Sequence, residues 1–336
     1  MLPAGHLATR GRGARVLGMR ILVLGGTSFV GRAIVEDALG QGDDVTLFGR
    51  GQTGPELFPT LTRARGDRAT GDYAALAHGA WDAVVDVSGY VPRHVQQAIA
   101  AVGQRVGRYL FISTGSVYDR AQAVDGLTED TPRLAPERGT EDSSGPAYGP
   151  LKVACEDDVL ALLGSRATIV RPGVVAGPYD PTDRFTYWVR RAARGGTVAV
   201  PGRLDQPVQV VDSRDLARLV GALLAADRDG IYNAVGPRSP VDLKRLVEAC
   251  AGAAGTSVEP VAVAQDPAEL PLVLPADGSW DVMFRRSAAA AYAAGMPATP
   301  LEVTAADVLA WDRVRGEPAL AVELSPEREA DLLAGR

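Results

Sequence analysis

Cysteine is scarce in this sequence, which has only Cys155 and Cys250 among its 336 residues. Two isolated cysteines form neither a disulfide framework nor the paired spacing of a metal site, so we expect small buried residues in a reducing compartment. No apolar run approaches the ~20 residues that a membrane-spanning helix needs. We therefore predict a cytoplasmic protein with no metal site and no membrane contact.

Long basic stretches are also missing, and the net charge is −6. A protein that binds a nucleic-acid backbone usually carries a basic patch, so we expect no nucleic-acid partner and a small-molecule substrate instead. The length and a hydrophobic content of 46% allow one large domain or two modest domains with a full core.

Residues 1–18 differ in composition from the rest of the chain, because they contain several arginines and glycines and no acidic residue. A targeting peptide, a non-native leader and a true start at Met19 all fit this composition. We exclude the segment from the fold and expect it to be disordered.

A buried strand at 21–24 is followed by a glycine-rich turn at 25–31 and then by apolar residues at helical spacing. The free N–H groups and the dipole at the start of that helix favour an anion above the turn. Gly25 allows the tight turn, and Gly31 allows close packing of helix and strand. Ser28 replaces the third glycine of the usual dinucleotide fingerprint. Taken alone, this motif also fits a turn whose glycines only end the strand and bind no dinucleotide.

Strands and helices alternate along the first half of the chain, with further strands expected at 44–48, 61–65, 81–87, 108–113 and 167–170 and a last one at 231–234. This alternation predicts an α/β fold with a doubly wound parallel Rossmann sheet, whose ligands bind at the carboxyl ends of the strands. We assign residues 19–172 and about 208–236 to the dinucleotide-binding domain. Residues about 173–207 and 237–330 then form a smaller C-terminal α/β substrate domain.

Cofactor choice is expected to depend on the end of the second strand. An acid about 20 residues after the glycine turn binds the adenosine ribose of NAD, whereas an arginine there accommodates the 2′-phosphate of NADP. Gly49 takes the place of the acid, and Arg50 follows it. We therefore favour NADP over NAD, with a solvated loop arginine as the alternative.

Tyr148 and Lys152 are four residues apart in a predicted helix and share one of its faces. A tyrosine acts as a general acid or base near neutral pH only if its pKa is lowered, and a neighbouring ammonium favours the phenolate by ~1.4 kcal/mol per pKa unit. A hydroxyl that holds the substrate oxygen is available at 113–116, where the fifth strand ends. A surface pair of Tyr and Lys is the alternative for this spacing alone.

With these motifs, residues 19–316 resemble the extended short-chain dehydrogenase/reductases, the family of nucleotide-sugar epimerases and dehydratases. The shared markers are the glycine turn, Asp67, the strand end before Tyr118, the Tyr148/Lys152 pair and Arg171-Pro172. The resemblance implies that Tyr148 is the general acid/base, that Thr114 polarises the substrate, and that Lys152 binds the nicotinamide ribose and lowers the tyrosine pKa. It also implies a cofactor site formed by Gly25, Thr27, Ser28, Phe29, Val30, Gly31, Arg50, Asp67, Arg68, Val87, Ser88, Gly89, Tyr148, Lys152, Arg171 and Pro172.

Two departures from the family pattern concern the substrate. Gly115 and Ser116 replace the Asp-Glu pair of the dehydratases, so we do not expect dehydration. Val208 occupies the place of the arginine that grips the diphosphate in epimerases, and Arg184, Arg203 and Arg214 are possible substitutes. The substrate residues that we predict are Tyr90, Ser116, Arg184, Trp188 and Arg203.

The first functional hypothesis is NAD(P)-dependent hydride transfer at a secondary alcohol or ketone of a sugar-like compound, with a nucleotide sugar as one candidate. Epimerisation through a transient ketone and net reduction by an NADPH-dependent ketone or aldehyde reductase are both open. A second hypothesis is a protein that senses or binds a dinucleotide without turnover, as some RNA-associated relatives do. The family likeness also suggests a homodimer.

Overall fold

The computed structural model describes residues 18–264 and 270–335, so nearly all of the expected leader lies outside the described residues. The strands are β1 (Arg20–Leu24), β2 (Asp44–Gly49), β3 (Thr62–Arg65), β4 (Trp81–Asp86), β5 (Val106–Ile112), β6 (Ala167–Pro172), β7 (Val174–Ala176), β8 (Gly196–Val200), β9 (Pro207–Val208), β10 (Val210–Asp212), β11 (Gly230–Ala234), β12 (Val241–Asp242) and β13 (Val258–Ala262). The α-helices are α1 (Phe29–Gly40), α2 (Pro92–Val102), α3 (Tyr148–Leu163), α4 (Arg184–Ala193), α5 (Ser213–Ala225), α6 (Leu243–Ala254), α7 (Ala289–Ala293), α8 (Leu301–Val314) and α9 (Pro326–Ala334).

Seven strands form one parallel sheet in the order β3-β2-β1-β4-β5-β6-β11. This is the doubly wound Rossmann arrangement that the sequence predicts. The chain reverses its direction of growth between β1 and β4, and the carboxyl ends of those strands border the place where such sheets bind ligands. The fold prediction is therefore confirmed, and the glycine turn lies at this switch point.

The segment that begins near Val208 is assigned to the dinucleotide-binding domain by the sequence, but its first residues lie outside the main sheet. It forms the two short strands β9 and β10, and neither joins the main sheet. Strand β9 pairs with β12, and β10 pairs with β7 just beyond the end of β6. Of the predicted 208–236 segment, α5 packs against α1 and β11 completes the sheet.

Apolar side chains cover both faces of the sheet. One cluster packs α1 and α5 against it and includes Val23, Val35 and Leu219, while the opposite cluster packs α2 and α3 and includes Val95 and Tyr109. A third cluster joins α4, α6 and α8 to β8 in the second domain. Within the described ranges, we find no helix that combines the length and the apolar character needed to cross a membrane.

Candidate active site

A crevice of about 1430 Å³ opens at the carboxyl ends of the main strands and is lined by both domains. It exceeds the 300–1,000 Å³ that is usual for a small-molecule pocket, so it has room for two ligands side by side. Its walls include seventeen of the residues that the sequence predicts for the site: Gly25, Thr27, Ser28, Phe29, Val30, Arg50, Asp67, Arg68, Val87, Ser88, Tyr90, Thr114, Ser116, Tyr148, Lys152, Pro172 and Arg184.

The glycine turn fits the diphosphate of a dinucleotide. Gly25 has a φ of +94°, and a Cβ on Gly31 would lie 2.0 Å from the carbonyl oxygen of Gly25. These values explain why glycine is needed at both positions. Ser28 caps α1 without a side-chain hydrogen bond, and the first turn contains no acidic residue. The positive end of the helix therefore faces the crevice without an internal anion, as an anionic ligand requires.

Tyr148, Thr114 and Lys152 converge on the crevice from two elements. Tyr148 is the first residue of α3, and Thr114 follows β5 and caps a short 3-10 turn through its hydroxyl. Burial raises the pKa of Tyr148, while a hydrogen bond with Thr114 acts in the opposite direction. The two side chains therefore lie close together at the crevice.

Lys152 is almost fully buried, and its ammonium donates to the carbonyl oxygens of Gly89 at 2.7 Å and Ile112 at 2.8 Å. Its Nζ also lies 4.0 Å from the centre of the Phe111 ring. Burial lowers the pKa of Lys152 to about 8. In this arrangement the ammonium is engaged with backbone carbonyls and the pKa of Tyr148 is raised. The expected lowering of the tyrosine pKa by Lys152 stays a prediction.

Sequence reasoning missed Asp86, which is fully buried at the end of β4. Its carboxylate accepts hydrogen bonds from both terminal nitrogens of Arg68, at 2.5 and 2.8 Å, from Ser88 N at 3.1 Å and from the Tyr109 hydroxyl at 2.7 Å. Burial alone would raise the pKa of Asp86, but Arg68 and these hydrogen bonds lower it. The charge of Arg68, which we expected to face the cofactor, is therefore neutralised by Asp86. The signal that could have identified Asp86 in the sequence is its position as an acidic residue at the end of an apolar strand.

Arg171, which the resemblance places in the cofactor site, does not line the crevice, whereas its neighbour Pro172 does. Its guanidinium is 1% exposed and binds the fully buried carboxylate of Glu156 at 2.7 and 2.9 Å. It also donates to the Tyr118 hydroxyl at 2.9 Å. Glu156 lies one helical turn after Lys152, so this ion pair fixes α3 to β6 beneath the site. Arg171 thus positions the helix that carries Tyr148.

Two predicted substrate residues do not line the crevice. Trp188 is fully buried in the second domain, where its indole donates to Pro271 O at 2.8 Å. Arg203 is ion-paired with Asp281. Each finds a partner that is distant in the sequence.

Two predicted cofactor residues act through the backbone. Gly31 serves the packing of α1, and Gly89 supplies the carbonyl for Lys152. Of the remaining candidates for a diphosphate grip, Arg214 is bound by Asp212 and Asp307. Arg184 lines the crevice and donates to the Thr182 hydroxyl at 3.0 Å.

Two further crevice residues were missed, Asp180 and Arg286. Asp180 Oδ2 is buried and has no hydrogen-bond partner among the described residues, and burial raises the pKa of this carboxyl. Arg286 Nε and Nη1 are likewise buried without a partner in the described chain. No local motif marks Arg286, because it comes from a distant segment of the second domain.

Basic side chains outnumber acidic ones around the crevice, although the whole chain is acidic. The basic residues are Arg50, Arg63, Arg65, Arg68, Arg120, Lys152, Arg184 and Arg286, and the acidic residues are Asp67, Asp119 and Asp180. A cleft lined mainly by one sign of charge concentrates ligands of the other sign. The site is therefore suited to an anionic ligand. Elsewhere in the described chain, no three His, Cys, Asp or Glu side chains cluster in a way that could hold a metal ion.

Two solved structures share this fold. UDP-glucuronic acid 4-epimerase from Bacillus cereus is 16% identical, with a TM-score of 0.67 over 88% of this chain and 99% of that one. The dTDP-glucose 4,6-dehydratase from Bacillus anthracis str. Ames is 17% identical, with a TM-score of 0.61 over 89% and 98%. At such identities the likeness concerns the fold.

Sequence comparison is more specific. The chain is 26% identical over 269 residues to the chloroplast stem-loop binding protein of 41 kDa b from Arabidopsis thaliana, an alignment that covers 74% of this chain and 67% of that protein. The model of the NAD-dependent epimerase/dehydratase family matches residues 21–235. That match contains the glycine turn, Thr114, Tyr148 and Lys152. The resemblance to extended short-chain dehydrogenase/reductases is thus confirmed, and the chain belongs to the NAD-dependent epimerase/dehydratase family.

Proposed function

We propose that the protein is an enzyme that transfers hydride between a nicotinamide dinucleotide and a secondary alcohol or ketone of a sugar-like small molecule. The observation that carries this proposal is the convergence of Thr114, Tyr148 and Lys152 on the crevice that begins at the glycine turn. The two structural neighbours named above were solved in complex with NAD, which supports a dinucleotide as the cofactor.

Each residue has a distinct task in this reaction. When bound, the nicotinamide supplies the hydride donor or acceptor. Thr114 holds the substrate oxygen, and Tyr148 gives a proton to that oxygen during reduction or takes one during oxidation. Lys152 ties the Gly89 and Ile112 carbonyls to α3, so Tyr148 stays opposite the ends of β4 and β5.

The test combines binding with turnover. We expect Tyr148→Phe to retain its affinity for NADH or NADPH, which is measured by cofactor fluorescence. Its kcat should fall at least 100-fold, because general acid–base catalysis usually contributes a factor of ~10²–10⁴. Tyr232→Phe is the control, since its hydroxyl donates to Asp229 O outside the crevice. Unchanged turnover by Tyr148→Phe, or no affinity of the wild type for either dinucleotide, would contradict the proposal.

The reaction type follows from the residues after Thr114. Gly115 and Ser116 carry no carboxylate, so the site lacks at these positions the acid and base that remove water in dehydratases. We therefore propose epimerisation or net reduction rather than dehydration. An epimerase returns the hydride and keeps its cofactor, whereas a reductase consumes NADPH with each turnover. Loss of cofactor absorbance at 340 nm in step with product therefore distinguishes these two reactions.

NADP is the cofactor that we propose, because Gly49 takes the place of the expected acid and Arg50 follows it. Arg50 follows β2, and Arg65 Nη1 donates to the Arg50 carbonyl at 3.1 Å, which brings two guanidinium-bearing residues to the adenosine end. We expect Arg50→Ser to weaken the binding of NADPH about 10-fold or more, the size of effect that follows from losing a hydrogen bond to a charged group. The binding of NADH should change little. Arg20→Ser is the control, because Arg20 lies at the amino end of β1 and does not line the crevice. Tighter NADH than NADPH binding by the wild type would refute the preference.

A second candidate function is binding of a nucleic-acid stem-loop, which the name of the Arabidopsis relative favours. The charge of −6 opposes it. Fluorescence anisotropy with a labelled RNA stem-loop in 50 and 200 mM salt tests this candidate, because phosphate-dominated binding weakens steeply with salt. The predicted homodimer and the cytoplasmic location stay predictions, and size-exclusion chromatography with light scattering tests the former.

A further inference from the structure

Arg286 reaches the crevice from the second domain on a main chain that is held in place. Its N–H donates to Gln209 Oε1 at 3.1 Å, and its carbonyl accepts from Gln209 Nε2 at 2.8 Å. The next residue, Ser287, donates its N–H to Leu127 O at 2.8 Å. These bonds direct the side chain into the site from a fixed backbone.

The guanidinium of Arg286 lies between two glycines at the ends of neighbouring strands. A Cβ on Gly115, after β5, would lie 1.8 Å from Nη1, and a Cβ on Gly173, after β6, would lie 3.5 Å from it. The missing side chains provide the space that the guanidinium occupies. Gly115 also directly follows Thr114, so the guanidinium lies beside the segment that carries the hydroxyl assigned to the substrate oxygen.

No carboxylate of the described chain compensates this charge. Nε and Nη1 are buried without a hydrogen-bond partner, and burial lowers the pKa of Arg286 to about 10, opposed only by the Tyr118 phenol. Arg286 as a whole is partly buried, and nitrogens of a cation that are buried without a partner are strongly unfavourable. Every other buried guanidinium described above, including Arg68 and Arg171, has a carboxylate within 3 Å. Arg286 is therefore the one among these that is prepared for an external anion.

The cofactor's diphosphate is too far away to be that anion. Parallel strands are about 4.8 Å apart, and β5 is two strands from β1, where the glycine turn begins. A phosphate over the turn thus lies about 10 Å from the end of β5. The compensating charge must come from the other ligand in the crevice.

We propose that the substrate bears an acidic group, a carboxylate or a phosphate, that pairs with Arg286 beside the carbon whose oxygen contacts Thr114 and Tyr148. Guanidinium binds both groups through paired charge-assisted hydrogen bonds. The inference rests on the proposed function and narrows its substrate to sugar-like acids or sugar phosphates.

Three probes that differ at one carbon test this: D-glucose, D-glucuronate and D-glucose 6-phosphate. Their affinities for the full chain saturated with NADPH or NADH are measured from the concentration dependence of the melting temperature, at constant ionic strength. We expect at least one acid to bind at least 10-fold more tightly than glucose to the wild type, and this preference to vanish in Arg286→Gln. Binding of glucuronate alone identifies a carboxylate site, and binding of both acids identifies a site that also accepts phosphate.

Arg285→Gln is the matched control, because the neighbouring Arg285 is about half exposed and pairs with Asp125 and Asp281 at the surface. It should keep the preference for acids, and Arg286→Lys should keep part of it. Dinucleotide affinity is measured for every variant. If the wild type binds no dinucleotide, the proposed function fails. If it binds a dinucleotide but the acids bind no better than glucose, or bind Arg286→Gln equally well, the Arg286 assignment is overturned while the proposed function stands.

Discussion

Replacing Asp86 by asparagine should destabilise the protein more than any exposed charge substitution on the same strand. The carboxylate has no solvent exposure and neutralises Arg68, whose guanidinium is also largely buried. Asparagine has nearly the same shape, so the substitution removes the charge while leaving the packing intact. Arg68 would then remain as a buried cation without a counter-ion.

The expected loss can be estimated from these contacts. Removing one partner of a buried ion pair costs about 3–5 kcal/mol of unfolding free energy. The asparagine oxygen can still accept the hydrogen bond from Ser88 N, so we expect about 3 kcal/mol. Tyr109→Phe removes only the hydroxyl that donates to Asp86, which should cost about 2 kcal/mol because the acceptor is charged.

Urea denaturation followed by circular dichroism measures these differences. Asp82→Asn is the control, since Asp82 lies on the same strand but pairs with Arg20 at an exposed site, where a pair contributes at most about 1 kcal/mol. The pKa of Asp86 is lowered in the folded state, so its contribution is present above the unfolded value of about 3.9 and fades as the pH falls through the folded value. The difference between wild type and Asp86→Asn should therefore narrow below about pH 4. Equal losses for Asp86→Asn and Asp82→Asn would refute the reasoning.

Three other predictions follow from the site. Gly31→Ala should lower the free energy of unfolding by about 1–3 kcal/mol and remove most of the dinucleotide affinity, because the new Cβ would collide with Gly25 O. Gly40→Ala is the control, since a Cβ there would meet nothing within 4 Å, and it should change neither property. Thermal melting measures the stability, and NADH fluorescence measures the affinity. The pKa of Lys152 near 8 predicts that kcat/KM falls as the pH rises above about 8, and a flat profile from pH 7 to 9 would show that turnover does not need the ammonium. Trp188→Phe should lower stability by about 1–2 kcal/mol through lost packing and a lost hydrogen bond, without changing KM; a raised KM would restore Trp188 as a substrate residue.

Local signals explain which elements could be predicted from the sequence. Helices α2 and α3 carry such local signals at their ends. Pro92 occupies the first turn of α2, and Gly103 and Gly164 follow the two helices with φ values of +57° and +55°. The glycine turn and the spacing of Tyr148 and Lys152 are equally local, so they also identified the crevice.

Charge partners could not be predicted in the same way. Whether an arginine faces a ligand or a carboxylate depends on residues that are far away in the sequence. Arg171 and Arg203 look as available as Arg184 in the sequence, yet Glu156 and Asp281 bind the first two. Arg286 has no neighbouring motif, because two glycines that are distant in the sequence, Gly115 and Gly173, create its environment.

The carboxamide of Gln209 has a consequence for the energetics of recognition. It holds both backbone polar groups of Arg286, so the segment that carries the guanidinium is ordered as the two domains fold together. Binding to a group that is already held in place costs less conformational entropy than binding to a flexible segment that must first become ordered. The arrangement that selects the ligand at Arg286 is therefore formed when the protein folds. A substitution of Gln209, which lies outside the crevice, should weaken ligand binding although it removes no contact with the ligand.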